Sequence, residues 1–206
     1  MTSELNIRRI NDYNDLRFDQ SVLNQHGAFL VNEKYCFEVD IIGMDSAIIR
    51  GQEKKYYPEV IEEFRFFAEH ITQFFDAQHN KLMAFQPVKL FKIDLKNIKP
   101  SQFYVDKEKK QAVKTFIETE TDIVIPVIVS QHGYISLDGH TRLSIAVDLG
   151  FNDVYGFITE PFDYIFDFVR EAELRNINSV FDIEELNHKE YQKEWHGFCD
   201  NYWSKE

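Results

Sequence analysis

The chain is poor in residues that would staple it or hold a metal. Of its 206 residues only Cys36 and Cys199 are cysteines, and they lie far apart. Two lone thiols make no disulfide framework and fit a reducing cytoplasm. There is no HExxH, no CxxC and no GxSxG nucleophile elbow, and the seven histidines lack helix-borne ligand spacing, so no metal site is expected. Positive charge is also scarce. The formal net charge is −12, and the densest basic run, Lys107 to Lys110, carries Glu108 inside it. Tracking a nucleic-acid backbone requires a basic stripe, so nucleic acid is disfavoured as a partner. The longest apolar run, Ile123 to Val129, is too short to span a bilayer. Met1 to Asn14 is polar and lacks the apolar stretch of a signal peptide. A cytoplasmic protein with no membrane partner is expected, and no repeat or low-complexity segment interrupts it.

What the chain does have is aromatic bulk: 19 Phe and 10 Tyr, enough to fill a sizeable core. Residues 1–25 read as a polar arm or short helix. Ala28–Val31, Tyr35–Ile42 and Ala47–Ile49 then alternate as a small antiparallel meander, with His26-Gly27 as a loop before it. Pro58 opens a long amphipathic helix, with apolar residues recurring at helical spacing from Val60 to Phe75. Asp76 to Gln86 is a polar link, which puts a first domain at residues 1–86.

The next stretch, residues 87–160, alternates strands and helices. Val88–Leu95 reads as a strand and Ile98–Gln102 as a loop forced by Pro100. Lys107–Thr119 reads as a helix and Ile123–Val129 as a buried strand, in which Pro126 suggests a sheet edge or bulge. Tyr134 to Val147 is the centre of the chain. It starts as a strand, turns at Asp138-Gly139 and continues as a helix that stops near Gly150. Asp138 is placed to cap that helix, and Gly139 permits a sharp turn. The first helical N–H groups point outward with the positive end of the dipole, which suits a phosphate. Arg142 can add a bidentate fork, Thr141 a hydroxyl, and His140 either a ligand contact or a bond to a neighbouring loop. Val154–Ile158 is the following strand.

Residues 161–206 form a helical extension. One helix runs from Pro161 to about Asn176. The Asn187-x-x-Glu190 capping box starts another, striped with Tyr191, Trp195, Phe198, Cys199 and Tyr202. These stripes must bury themselves against the α+β layer, or against a second copy or protein partner.

The strand followed by Asp138-Gly139-His140-Thr141-Arg142 and a helix resembles the signature of the ParB/sulfiredoxin superfamily, over roughly Leu90 to Ile158. In motif it is closest to the free serine kinase branch, and the whole chain resembles uncharacterised bacterial proteins of that kind. The resemblance implies an α+β fold: a ParB/sulfiredoxin-like mixed sheet with packed helices, flanked by the N-terminal meander and the helical tail. It implies a nucleotide-phosphate site formed by Gly139, His140, Thr141 and Arg142 with Ser101 and Gln102 of the facing loop. ATP or ADP with Mg²⁺ would be the cofactors, and a small hydroxyl-bearing metabolite, serine first, the acceptor. Where the kinases carry a catalytic glutamate this chain has Gln102, which accepts no proton, so Asp138 and His140 are the catalytic candidates. The alternative is a non-catalytic nucleotide or phosphometabolite sensor. Sulfiredoxin chemistry needs a cysteine in the turn, where His140 stands instead. A ParB-like DNA-associated protein needs DNA-binding helices, and this tail is acidic.

Overall fold

The computed structural model describes residues 5–204. The chain is a mixed α+β protein with three sheets, divided into two compact units, Met1–Val88 and Lys89–Glu206.

In the first unit β1 (Ile7–Arg9), β2 (Ala28–Val31), β3 (Tyr35–Ile41), β4 (Ser46–Gly51), β5 (Gln73–Phe75) and β6 (Lys81–Ala84) form one sheet in chain order. α1 (Gln20–Asn24) precedes β2, and α2 (Tyr57–Phe67) connects β4 to β5. The expected meander is its centre, but the sheet is twice as wide. α2 starts with Pro58 in its first turn and stops at Phe67, short of the expected end. Ile71 and Phe74 do carry on the helical spacing, yet β5 is a strand parallel to β4 with Phe74 buried between half-exposed neighbours. In so short a run the two periods cannot be told apart. The expected polar link contains β6, a short and largely exposed edge strand of sequence Lys-Leu-Met-Ala. Phe29, Phe37, Phe64 and Phe74 fill the core between α2 and the sheet. His26 bonds Tyr13 Oη at 3.0 Å.

The second unit holds β7 (Phe91–Asp94), β8 (Ile98–Pro100), β9 (Tyr104–Asp106), α3 (Lys107–Lys114), β10 (Val124–Ser130), β11 (Gly133–Ser136), α4 (His140–Asp148), β12 (Asp153–Ile158), α5 (Ile165–Leu174), β13 (Glu184–Leu186), α6 (His188–Tyr191) and α7 (Gly197–Trp203). Its main sheet has the order β7-β12-β10-β11-β8, with β10–β12 and β11–β8 parallel and β12–β7 and β10–β11 antiparallel. β9 and β13 make a separate parallel pair.

Two proline-based expectations are corrected. Ile98–Pro100 is a strand, not a loop; Pro100 is its last residue on the sheet's edge, where a missing donor costs little. Pro126 lies in β10, a central strand. Its carbonyl accepts from Leu137 N–H at 3.0 Å, just beyond the end of β11. The donor that Pro126 lacks would face the same point, where β11 is already leaving the sheet for the Asp138-Gly139 turn. α3 ends at Lys114 rather than Thr119, and α5 begins at Ile165 rather than Pro161.

The Asn187 side chain accepts from Glu190 N–H at 3.0 Å, as the capping box predicts. α6 and α7 are joined through a π-turn, Gln192–His196. Trp195 in that turn and Phe198 in α7 pack on Phe103 and on Phe168 of α5. The tail therefore buries its stripe on its own α+β unit. Among the described residues no helix is long and apolar enough to cross a membrane.

Candidate functional site

The site candidate is the mouth of α4. β11 sits beside β10 and ends at Ser136, and Leu143, Ile145 and Ala146 bury α4 in the core. The turn between them is thereby fixed. Gly139, not Asp138, is the helix N-cap, at φ 83°, in the left-handed region that favours glycine. A Cβ there would lie 2.6 Å from Ile125 Cγ2, so the core itself requires glycine. Among the described residues no side chain caps α4. This corrects the expectation that Asp138 does.

The N–H groups of His140, Thr141 and Arg142 find no acceptor among the described residues. Arg142 makes no hydrogen bond among them either. Its guanidinium folds back over the turn: Nη2 is 3.5 Å from the point where a Gly139 Cβ would be and 4.0 Å from Asp138 Oδ2. The Arg142 side chain is 22% exposed and that of Asp138 68%. Surrounding protein pushes the Asp138 carboxyl upward, but Arg142, Lys109 and the Gly139 N–H outweigh it and hold its pKa below the ordinary range. Asp138 is therefore ionised at neutral pH.

His140 has a different surrounding. Its ring is 3% exposed, and Nε2 accepts from the backbone N–H of Ser101 at 3.1 Å and of Gln102 at 3.2 Å. Ser136 Oγ is 3.0 Å from the same nitrogen. Two fixed donors on Nε2 put the ring proton on Nδ1. Burial drives the pKa down to about 4, with Lys109 and Arg142 adding to the fall against Asp138 and the Ser136 backbone. Instead of a ligand-facing ring, His140 is a neutral clamp that fastens the β8–β9 loop to the helix mouth.

Ser101 and Gln102 belong to that loop, and their polar side chains are engaged by protein. Ser101 Oγ donates to the Ser136 carbonyl at 2.7 Å. Gln102 Nε2 donates to the Tyr104 carbonyl at 2.5 Å and to Tyr191 Oη at 3.2 Å. Thr141 is 7% exposed. The structure thus brings Asp138, Gly139, Thr141 and Arg142 together at the mouth, with His140, Ser101 and Gln102 behind it as supporting framework.

Lys109 is not among the sequence-predicted site residues, and Tyr191 enters there only as part of the last helix's stripe. Lys109 acts on the charges of both Asp138 and His140. The signal was Asp106, whose carboxylate caps α3 by accepting from Glu108 N–H at 2.9 Å and so sets the phase of that helix. Tyr191 is buried, and no short-range pattern links it to Gln102, from which it is separated by 89 residues.

No family model matches the sequence, and no curated protein matches it. Among solved structures the chain is similar to the protein Atu1540 from Agrobacterium tumefaciens, at 16% identity and a TM-score of 0.36. The match covers 47% of this chain and 62% of that one, less than two thirds of its length.

Proposed function

We propose that the α4 mouth binds the phosphate of a nucleotide or phosphometabolite. One observation carries this reading: three adjacent helical N–H groups and a folded-back guanidinium, all without hydrogen-bond acceptors among the described residues, meet at one turn. Helix-end amides and an arginine fork both favour a phosphate over water.

In its enzymatic form this is a nucleotide-dependent phosphotransferase acting on a small hydroxyl-bearing metabolite such as serine, of the ParB/sulfiredoxin-like type. Asp138 supports it. An ionised, exposed carboxylate beside the phosphate site can accept from and orient an attacking hydroxyl. Magnesium takes one or two carboxylates plus phosphate oxygens, so Asp138 with ATP or ADP would suffice to hold it; the ion would neutralise charge on the transferred group.

A second reading, a nucleotide sensor, is favoured by Gln102. Its amide bonds Tyr191 and its backbone bonds His140, so the helix mouth is connected through one residue to the C-terminal helix. Incubation with Mg²⁺, serine and each of ADP, ATP and CTP separates the two. Phosphoserine formed with nucleotide turnover supports the kinase. Tight nucleotide binding without turnover supports the sensor, and no binding of any of the three removes both.

A further inference from the structure

We propose that a second site, a groove at the opposite end of β11 from the α4 mouth, binds a small amphipathic anion. The groove runs between the β10–β11 hairpin and α5 and has a volume of about 830 Å³. That lies within the roughly 300–1,000 Å³ range of small-molecule sites. Val129 and Phe166 line it and are 69% and 52% exposed, while Val169 beside them joins the apolar floor. Its charged rim is of one sign. Lys96 and Lys99 contribute to the lining, and among the described residues no Asp or Glu does, although the chain carries 35 of them. Glu173 already pairs with Lys99. Lys96 has no ion pair among the described residues and is left to meet an anionic head group.

The occupant is a small molecule rather than an added peptide strand. β8, the sheet edge bordering the groove, is three residues long and ends in Pro100, so it offers an incoming strand few backbone partners. An apolar body over Val129 and Phe166 with a carboxylate at Lys96 satisfies both halves of the groove.

The test is a calorimetric titration of the full chain with octanoate and, in parallel, octan-1-ol. Saturable one-to-one octanoate binding, at least tenfold weaker in Lys96→Glu and in Phe166→Ser and unchanged in Arg142→Ala, is the expected result. Both substituted groove residues lie at the surface, and thermal melting checks that each variant folds; either variant alone suffices. Octanol binding as tightly as octanoate would remove the anionic head group from the account. Octanoate affinity unmoved in the folded variants, no octanoate binding at all, or occupation of the groove by a second copy of the chain would each overturn the proposal.

Discussion

A buried imidazole nitrogen that accepts from two backbone amides cannot also carry a proton. His140 is in that position, and its pKa of about 4 against the ordinary 6.5 makes a statement about stability. As pH falls below about 6.5 the unfolded chain takes up a proton that the folded ring refuses. The stabilisation is therefore complete above 6.5 and is lost progressively down to about 4, by roughly 3 kcal/mol in all. His188 works in the opposite sense, because its bond to Asp106 raises its pKa, but it is half exposed and contributes less. Urea melts between pH 7.5 and 4.5 should show the loss, and His140→Gln should flatten the slope; an unchanged slope would contradict the neutral clamp. Gly139→Ala should cost about 1–3 kcal/mol, from the left-handed φ and the approach to Ile125, measured by the same melts. Arg142→Ala should leave stability nearly unchanged and weaken phosphate-ligand binding by about 2–3 kcal/mol. The turn was legible in the sequence because Asp-Gly before an apolar helical stripe is a local signal. The direction of His140 was not, because its partners Ser101 and Gln102 are 39 and 38 residues away.

At the level of elements, the β8–β9 loop is held from two sides. His140 holds its backbone, and Phe103 anchors it among Trp195, Phe198 and the Arg175 guanidinium, which sits 4.3 Å from the ring centroid. Phe103 is fully buried, so Phe103→Ala should cost about 3–5 kcal/mol in denaturant unfolding. It should also loosen the C-terminal helix, seen as faster amide exchange across 188–203. Exchange as slow as in the parent chain would mean the helix is anchored elsewhere. Strands with clean alternation or a continuous apolar run, β2, β3, β10 and β12, were legible in the sequence. β1, β5, β6 and β8 were not. They are three or four residues long, and what makes them strands is a neighbour supplied by the rest of the chain. Pro126 misled for a related reason: its tolerance depends on where β11 ends, which no local pattern reports.

For the whole molecule, each unit has its own buried aromatic or aliphatic core. Residues 1–88 and 89–206 expressed separately should each fold, which dispersed amide spectra would show. Collapsed spectra from either would contradict two independent cores. The link expected over Asp76 to Gln86 contains the strand β6, so the end of the first sheet was not legible there. With a net charge of −12 the molecule is expected to reject nucleic-acid backbones and to bind an anion only where local donors are concentrated. The most direct test of that concentration is a ¹H–¹⁵N titration with ADP. Saturable shifts of the His140, Thr141 and Arg142 amides are the predicted result, with half-saturation moved to about 30- to 150-fold higher ADP in Arg142→Ala. Saturable shifts elsewhere with those three unmoved, or no shifts at all, would contradict it.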